Sequence, residues 1–349
     1  MPQSPEITKK EVGQILSTSS YFQLPLTNNK YVIFSDSHLG DGNGADNFVH
    51  NEKVMIDSLE HYRKNNFKLI LLGDVEDFWQ VNLNDTRNKY NNSVYKNIRE
   101  FGNENVFRVY GNHDEEWSKK QDNYKGDKSD PAFTDGREFG SALEAIKLID
   151  ENGKTIILLL HGHQGSIELQ MFSSISKPFV WLYGKIIEPI FGTQKFIAEP
   201  NTKIDSNYEQ VYYKIALERK ILIITGHSHY AIFASMCYAD KLQKQINELQ
   251  LQIKNTPDKH GKEELLKKLE PVLRDLRIEK ARKREITPTD PNLSPKPCYF
   301  NSGCCLYESG VTCIELENDN IKLMKWNKDN TTGDYGHGKI SDFFLELQS

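Results

Sequence analysis

Residues 68–79 read KLILLGDVEDFW. Leu69 to Leu72 are apolar without interruption, too short a run for a helix and typical of a strand buried on both faces. Gly73 lets the backbone turn sharply and come close to a ligand. Asp74, Glu76 and Asp77 follow at once, so a buried strand ends directly in carboxylates. Four further runs of the same kind lie at 31–34, 106–110, 155–160 and 221–225. Helix-like stretches separate several of them, such as 51–64, where Val54, Met55, Leu59 and Tyr62 share one side. Strand alternating with helix predicts an α/β fold built on a largely parallel sheet layered by helices.

The residues that follow each run carry the chemistry. The first leads into Ser35-Asp36-Ser37-His38, the second into Gly73-Asp74-Val75-Glu76-Asp77, the third into Gly111-Asn112-His113-Asp114. The fourth leads into His161-Gly162-His163 and the fifth into Gly226-His227-Ser228-His229. Ligands of α/β sheets bind beyond the carboxyl ends of the strands, so these loops are expected to converge on one crevice. Six of the ten histidines sit in these turns, and only His50, His61, His260 and His337 are scattered elsewhere. Any one motif alone reads as an ordinary polar loop; five together do not.

Imidazole, carboxylate and amide oxygen without thiolate suit Mn, Fe, Zn or Ni rather than an iron–sulfur cluster. Two such ions about 3.5–4 Å apart can clamp both the attacking and the leaving oxygen of an in-line displacement. A metal pair needs a bridging carboxylate, and Asp74 after its glycine is the choice for it.

Composition narrows the setting. The chain has 349 residues, 38% of them hydrophobic, which is enough for a sizeable core. A net charge of −5 gives no general argument for nucleic-acid binding. Five cysteines with no Cys-x-x-Cys pair read as neither a disulfide framework nor a zinc knuckle, which points to a reducing compartment. The start, MPQSPEITKK, lacks the apolar stretch of a signal peptide. No apolar run approaches the roughly 18 residues of a membrane span. The expected setting is soluble and cytoplasmic.

The ordered series Asp-x-His, Gly-Asp-x-x-Asp, Gly-Asn-His-Asp, His, Gly-His-x-His over residues 36–229 resembles the calcineurin-like metallophosphoesterases. Tyr299-Phe300-Asn301-Ser302-Gly303 is similar to the family's Asn-x-Gly turn. The resemblance implies a four-layered α/β/β/α sandwich and two divalent metal ions, manganese first among them. It implies one ion on Asp36, His38, Asp74 and His229, and a second on Asp74, Asn112, His161 and His227. A hydroxide shared by the metals would be the nucleophile. His113 would stabilise developing charge or protonate the leaving oxygen, Asp114 would fix its orientation, and Asp77 would orient a ligating histidine. His163 is expected as a neighbour in the substrate pocket or behind the ligands. The words Ser-Asp-Ser-His-Leu-Gly and Gly-Asp-Val-Glu-Asp-Phe-Trp look like the UDP-2,3-diacylglucosamine pyrophosphohydrolase branch, with Glu76 in place of its usual apolar residue. That branch cleaves a lipid-linked pyrophosphate at the inner face of the bacterial membrane, so peripheral membrane contact is expected with it.

Residues 1–29 read as an N-terminal extension, and 30–236 with 297–349 as the metallophosphoesterase domain. Two insertions interrupt it. Segment 171–200 opens on a strongly aromatic stretch with Phe172, Phe179, Trp181, Tyr183, Phe191 and Phe196, and reads either as a cap over the site or as core. As a cap, it would set Trp181 against an apolar part of the substrate and Lys177, Lys185 and Lys195 against phosphates. Residues 237–296 read as a helical hairpin with a Pro-rich return. Its seams are Leu242, Ile246, Leu249 and Ile253 against Leu265, Leu269, Leu273 and Leu276. It offers a route to self-association. Two rival functions remain: a nuclease of the double-strand-break-repair type, and a non-catalytic scaffold acting through the hairpin. The acidic charge disfavours the first, and the presence of every ligand and of His113 disfavours the second.

Overall fold

The computed structural model describes residues 4–18, 22–118, 142–165, 202–281 and 296–349. The aromatic segment read as a cap, Trp181 and the three lysines included, lies outside the described residues.

Two mixed sheets face each other. The first, of six strands, has the order β13-β12-β11-β2-β3-β4. Its strands β2 (Lys30–Phe34), β3 (Lys68–Leu72) and β4 (Val106–Val109) run parallel. A meander of β11 (Gly310–Glu317), β12 (Asn320–Asn327) and β13 (Thr332–Lys339) extends the sheet from β2. The second, of seven strands, has the order β1-β5-β6-β7-β10-β8-β9. There β6 (Thr155–Leu160), β7 (Leu222–Thr225) and β10 (Tyr299–Ser302) are parallel. At one side β5 (Ala145–Ile149) pairs antiparallel to β6, and β1 (Phe22–Pro25) closes the edge. At the other, β8 (Ala231–Phe233) and β9 (Met236–Cys237) turn back from β10. The five strand runs legible in the sequence are therefore divided between two sheets, three and two, rather than gathered in one largely parallel sheet. A buried apolar run states that both faces are covered, not which strand lies beside it.

Alternation along the strands sets the layers. Tyr31, Ile33, Ile70, Leu72, Phe107 and Val109 join the second sheet's residues in one core. Their neighbours Val32, Phe34, Leu69, Leu71 and Val106 face the other way. They pack under α2 (Glu52–Lys64), α3 (Leu83–Tyr90) and α4 (Val94–Arg99). On the outer face of the second sheet lie α1 (Pro5–Ser17) and α5 (Thr202–Arg219), which bring Val12, Ile15, Val211, Tyr212 and Ile215 to the core. The result is the α/β/β/α sandwich. Residues ahead of β2 belong to it, because α1 and β1 are packed into the second sheet's layer.

Helices α6 (Tyr238–Asn255) and α7 (Lys259–Ala281) follow β9 and fold back on each other. Leu242, Ile246, Leu249, Leu269 and Leu276 form a small core of their own, with Ile253, Leu265 and Leu273 against it. A last helix, α8 (Ile340–Gln348), seats Ile340 and Leu347 on the main core. Among the described residues no helix is long and apolar enough to cross a membrane.

Candidate metal centre

The loops after β2, β3, β4, β6 and β7 meet where the carboxyl ends of the two sheets come together. The first two are zipped to each other beyond their strands. The amides of Asp36, His38 and Leu39 donate to the carbonyls of Gly73, Asp74 and Val75, and that of Asp77 to Leu39. Pairing continues while the side chains turn inward, because Asp36 (φ 54°), His38 (φ 46°) and Asp74 (φ 50°) adopt left-handed backbone. His227 (φ 65°) and His229 (φ 60°) do the same after β7. Such residues cost on the order of 1–3 kcal/mol each, and they concentrate where function needs a side chain re-aimed.

Glycines make the close approach possible. A Cβ on Gly73 would overlap the His161 ring, and one on Gly111 would overlap Asp74 and His161. At Gly226 it would meet Asp36 and Ser35.

Two groups of donors that share no residue lie side by side, each with ligand atoms within 4.8 Å of one another: Asp36, His38 and His229, then Asp74, His161 and His227; a third, His38, Asp77 and His113, shares His38 with the first. In the first, the Nε2 atoms of His38 and His229 stand 3.2 Å apart, and Asp36 Oδ1 is 3.2 Å from His229 Nε2. In the second, Asp74 Oδ2 is 3.1 Å from His161 Nε2 and also 3.7 Å from His38 Nε2. Asp74 thus stands between the groups.

The donor set fits divalent cations. The buried Nε2 of His161 and Oδ1 of Asn112 have no aligned hydrogen-bond partner among the described residues. His161 Nδ1 lies 2.9 Å from the Leu72 carbonyl, which can only accept, so the proton belongs on Nδ1. Nε2 is then the atom turned towards the carboxylates, the one a cation would take in place of a second proton. Burial opposes a charge on His161, yet Asp74 and Asp36 push it up to about 10. Burial also opposes charge on Asp36, and His229 and His161 hold its carboxyl well below the usual range. The crevice therefore demands positive charge.

The family model for calcineurin-like phosphoesterases matches residues 30–231. The chain belongs to this family. A search of curated proteins found no match. Members of the family bind divalent metals, and the paired donor groups are where this phosphoesterase can hold them.

Beside the donors stands His113. Its amide donates to Asp74 Oδ1 at 2.8 Å, which fixes the loop after β4 to the carboxylate between the two groups. Its Nδ1 lies 2.9 Å from Asp77 Oδ1. Burial opposes protonation, but Asp77 and Asp74 push the ring up to about 9. The imidazolium keeps Nδ1 on Asp77 and turns Nε2 away from it.

The orienting role read for Asp114 is corrected here. Asp114 is fully buried and accepts from the amides of Gly111 (2.6 Å) and Val75 (2.8 Å), stapling the β4 loop to the β3 loop. The carboxylate that reaches the His113 ring is Asp77, at 2.9 Å from Nδ1, and the two share a candidate donor group with His38. Burial and the charges of Asp74 and Glu76 push Asp114 up to about 7.

His163 lies outside these donor groups. It is buried, its ring centre is 5.5 Å from that of His161, and burial with His161 and His227 holds it well below the usual histidine range.

Supporting residues appear only in three dimensions. Asn301 of β10 donates to the Gly226 carbonyl (2.7 Å), Ser228 Oγ (3.1 Å) and Thr225 Oγ1 (3.2 Å), and so holds the loop of His227 and His229. Ser228 in turn donates to Glu209 of α5 at 2.6 Å. The Tyr307 hydroxyl donates to the His229 carbonyl. Trp79 stacks on His113, with ring centres 4.0 Å apart and planes at 19°. The Asn-x-Gly resemblance pointed at Asn301 without a role, and nothing in the sequence marked Glu209 or Tyr307.

Proposed function

We propose that this phosphoesterase hydrolyses a phosphate ester or pyrophosphate with two divalent ions at one centre. Asp36, His38, Asp74 and His229 would hold one ion; Asp74, Asn112, His161 and His227 would hold the other. The observation that carries the reading is the place of Asp74, within reach of His161 in one donor group and of His38 in the other. Bound there, the ions would neutralise phosphoryl oxygens and lower the pKa of water.

The protein's own groups supply the rest. His113, kept as a cation by Asp77, donates a proton or hydrogen bond from Nε2 to the oxygen that leaves. Asp114 and Asn301 keep the ligand loops in register. His161 is locked in one tautomer by Leu72. Manganese is the first ion to test, with iron, zinc and nickel behind it, because the donors are nitrogen and oxygen only.

For the substrate we take a phosphate or pyrophosphate joined to an apolar group. Support comes from the Phe78-Trp79 word after Gly73-Asp74-Val75-Glu76-Asp77. A cytoplasmic site of action at a membrane face goes with that substrate.

The test is a hydrolysis panel with added Mn²⁺, covering nitrophenyl mono- and diesters, acylated nucleotide-sugars, cyclic nucleotides and DNA. Asp74→Asn serves as control and is expected to lose both ions and all turnover, since a neutral amide cannot balance two dications. Two tightly bound ions with near-normal rates in Asp74→Asn would refute the shared carboxylate. Cleavage of DNA alone would transfer the assignment to a nuclease.

A further inference from the structure

Aromatic residues after a buried strand normally go inward, and one of the pair here does. Phe78 packs towards Trp117 under the first sheet, with ring centres 5.8 Å apart. Trp79 goes the other way. It is half-buried and belongs to neither large core, so filling the interior is not what it is for.

Among the described residues, its hydrogen bonds and its ring stacking end on the groups around His113. The indole face lies on the imidazole at 4.0 Å and 19°. The indole Nε1–H donates to the Asn112 carbonyl at 3.1 Å. The Trp79 amide donates to Asp77 Oδ1 at 3.3 Å, the same oxygen that lies 2.9 Å from His113 Nδ1. Trp79 therefore touches the ring, the backbone just before it and the carboxylate that holds it.

Held at Cβ, the imidazole can only turn about the Cβ–Cγ bond, and a hydrogen bond to Nδ1 resists that turn at one point alone. Swinging would carry Nε2 out of line with the oxygen it serves. The His38 ring meets His113 only edge-on, at 4.6 Å and 85°, and does not define the plane of the ring. A face-to-face indole does, because any swing opens the stack. An indole anchored at Nε1 cannot follow the ring, so the plane is fixed from outside.

We infer that Trp79 is a positioning residue for His113, holding the imidazole in the plane from which Nε2 reaches the leaving oxygen. This rests on the reading of His113 as the group that serves that oxygen. Trp79 is not placed in contact with the reacting atoms; it acts through His113.

The experiment uses the full chain loaded with Mn²⁺ and compares Trp79→Ala, Trp79→Phe, His113→Ala and the double variant Trp79→Ala/His113→Ala. Two esters of the same phosphate are used, one with nitrophenol as leaving group and one with unactivated phenol. Trp79→Ala should lower kcat for the phenyl ester about 10- to 100-fold, the scale of a misplaced catalytic group. It should change the nitrophenyl ester only a few-fold, because a good leaving group needs little help. KM and bound metal should stay as in the parent protein. Trp79→Phe keeps a stacking face but loses the anchor on the Asn112 carbonyl, and should recover part of the loss. In the His113→Ala background, removing Trp79 should cost nothing further, since positioning has no object.

Equal losses on both esters would overturn the inference, as would a penalty that simply adds to that of His113→Ala. A rise in KM without a fall in kcat would make Trp79 a substrate contact instead. Loss of metal in Trp79→Ala would make it a support of Asn112 only. If His113→Ala itself left both esters unaffected, the reading of His113 would fall first, and the role of Trp79 with it.

Discussion

The Asp77–His113 pair offers the sharpest perturbation of the proposed chemistry. Asp77→Asn keeps the size of the side chain and removes the charge that faces Nδ1 at 2.9 Å. A hydrogen bond to a charged partner contributes about 1.5–3 kcal/mol, and one pKa unit corresponds to about 1.36 kcal/mol. Losing it should lower the His113 pKa by about one to two units. In the parent protein Asp77 and Asp74 hold the ring at about 9, against the opposing effect of burial. When cations are bound, Asp74 shares its charge with them, which leaves Asp77 as the group on which the ring depends. The sign then follows. The acid form of His113 is the active one, so its contribution is complete below its pKa and is lost as pH rises through it, while metal release sets any limb on the acid side. Asp77→Asn should shift that alkaline limb towards neutrality and leave rates at acidic pH much less affected. The assay is kcat against pH for a poor-leaving-group ester, with bound metal measured at each pH. An alkaline limb that stays in place in Asp77→Asn, at normal metal content, would refute the pairing as the source of His113 acidity.

Other expectations follow from the same contacts. Asn301→Ala removes the amide that holds the Gly226 carbonyl and Ser228, and should weaken metal binding about 10- to 100-fold in a titration while the fold persists. Arg108→Met leaves Glu76 charged and buried, and should cost about 3–5 kcal/mol in denaturant unfolding. Glu76→Leu added to it removes the stranded charge together with the Trp117 and Tyr95 hydrogen bonds to it, and should restore part of that loss; a double variant no better than the single would show that the stranded charge is not the main cause. Joining Tyr238 to Pro297 with a short linker removes the hairpin. Because its apolar seam closes on itself, small-ester hydrolysis and metal content should survive; insolubility would show that it packs on the core.

What the sequence disclosed was periodicity and punctuation. The run at 68–72 is β3 and the run at 155–160 is β6, residue for residue. The hairpin seam is equally plain, since a spacing of three and four admits one face only. What it withheld depends on contacts between distant segments. Val32 and Ile33 are equally apolar, yet one faces α2 and the other faces the second sheet. Asp77 and Asp114 each end a short motif, and spacing could not say which carboxylate reaches the His113 ring. That is decided by the zip between the loops after β2 and β3, and by the amides of Gly111 and Val75 that occupy Asp114. Trp79 was noticed as part of a word, but stacking is a relation between planes and leaves no trace in spacing.

Glu76 shows how such a word should be weighed. A glutamate where the resemblance leads one to expect an apolar residue looks like a departure from the chemistry. In the fold it points away from the donor groups, into the layer between the first sheet and its helices. Three donors meet it there: Arg108 at 2.5 Å, Trp117 Nε1 at 2.8 Å and the Tyr95 hydroxyl at 2.9 Å. Arg108 sits on the helix-facing side of β4, between Phe107 and Val109, which face the other sheet. Its guanidinium lies over the Trp117 ring, 4.9 Å from the ring centre. One buried charge thus accounts for the other, and replacing an apolar filler by a compensated ion pair is close to neutral when both partners are present. What occupies position 76 therefore reports how the space under the ligand loop is filled. It is silent on what is bound above. The chemistry lies on the other face of the same loop, where Trp79 and His113 meet, so changes there are read in turnover while changes at Glu76 are read in stability.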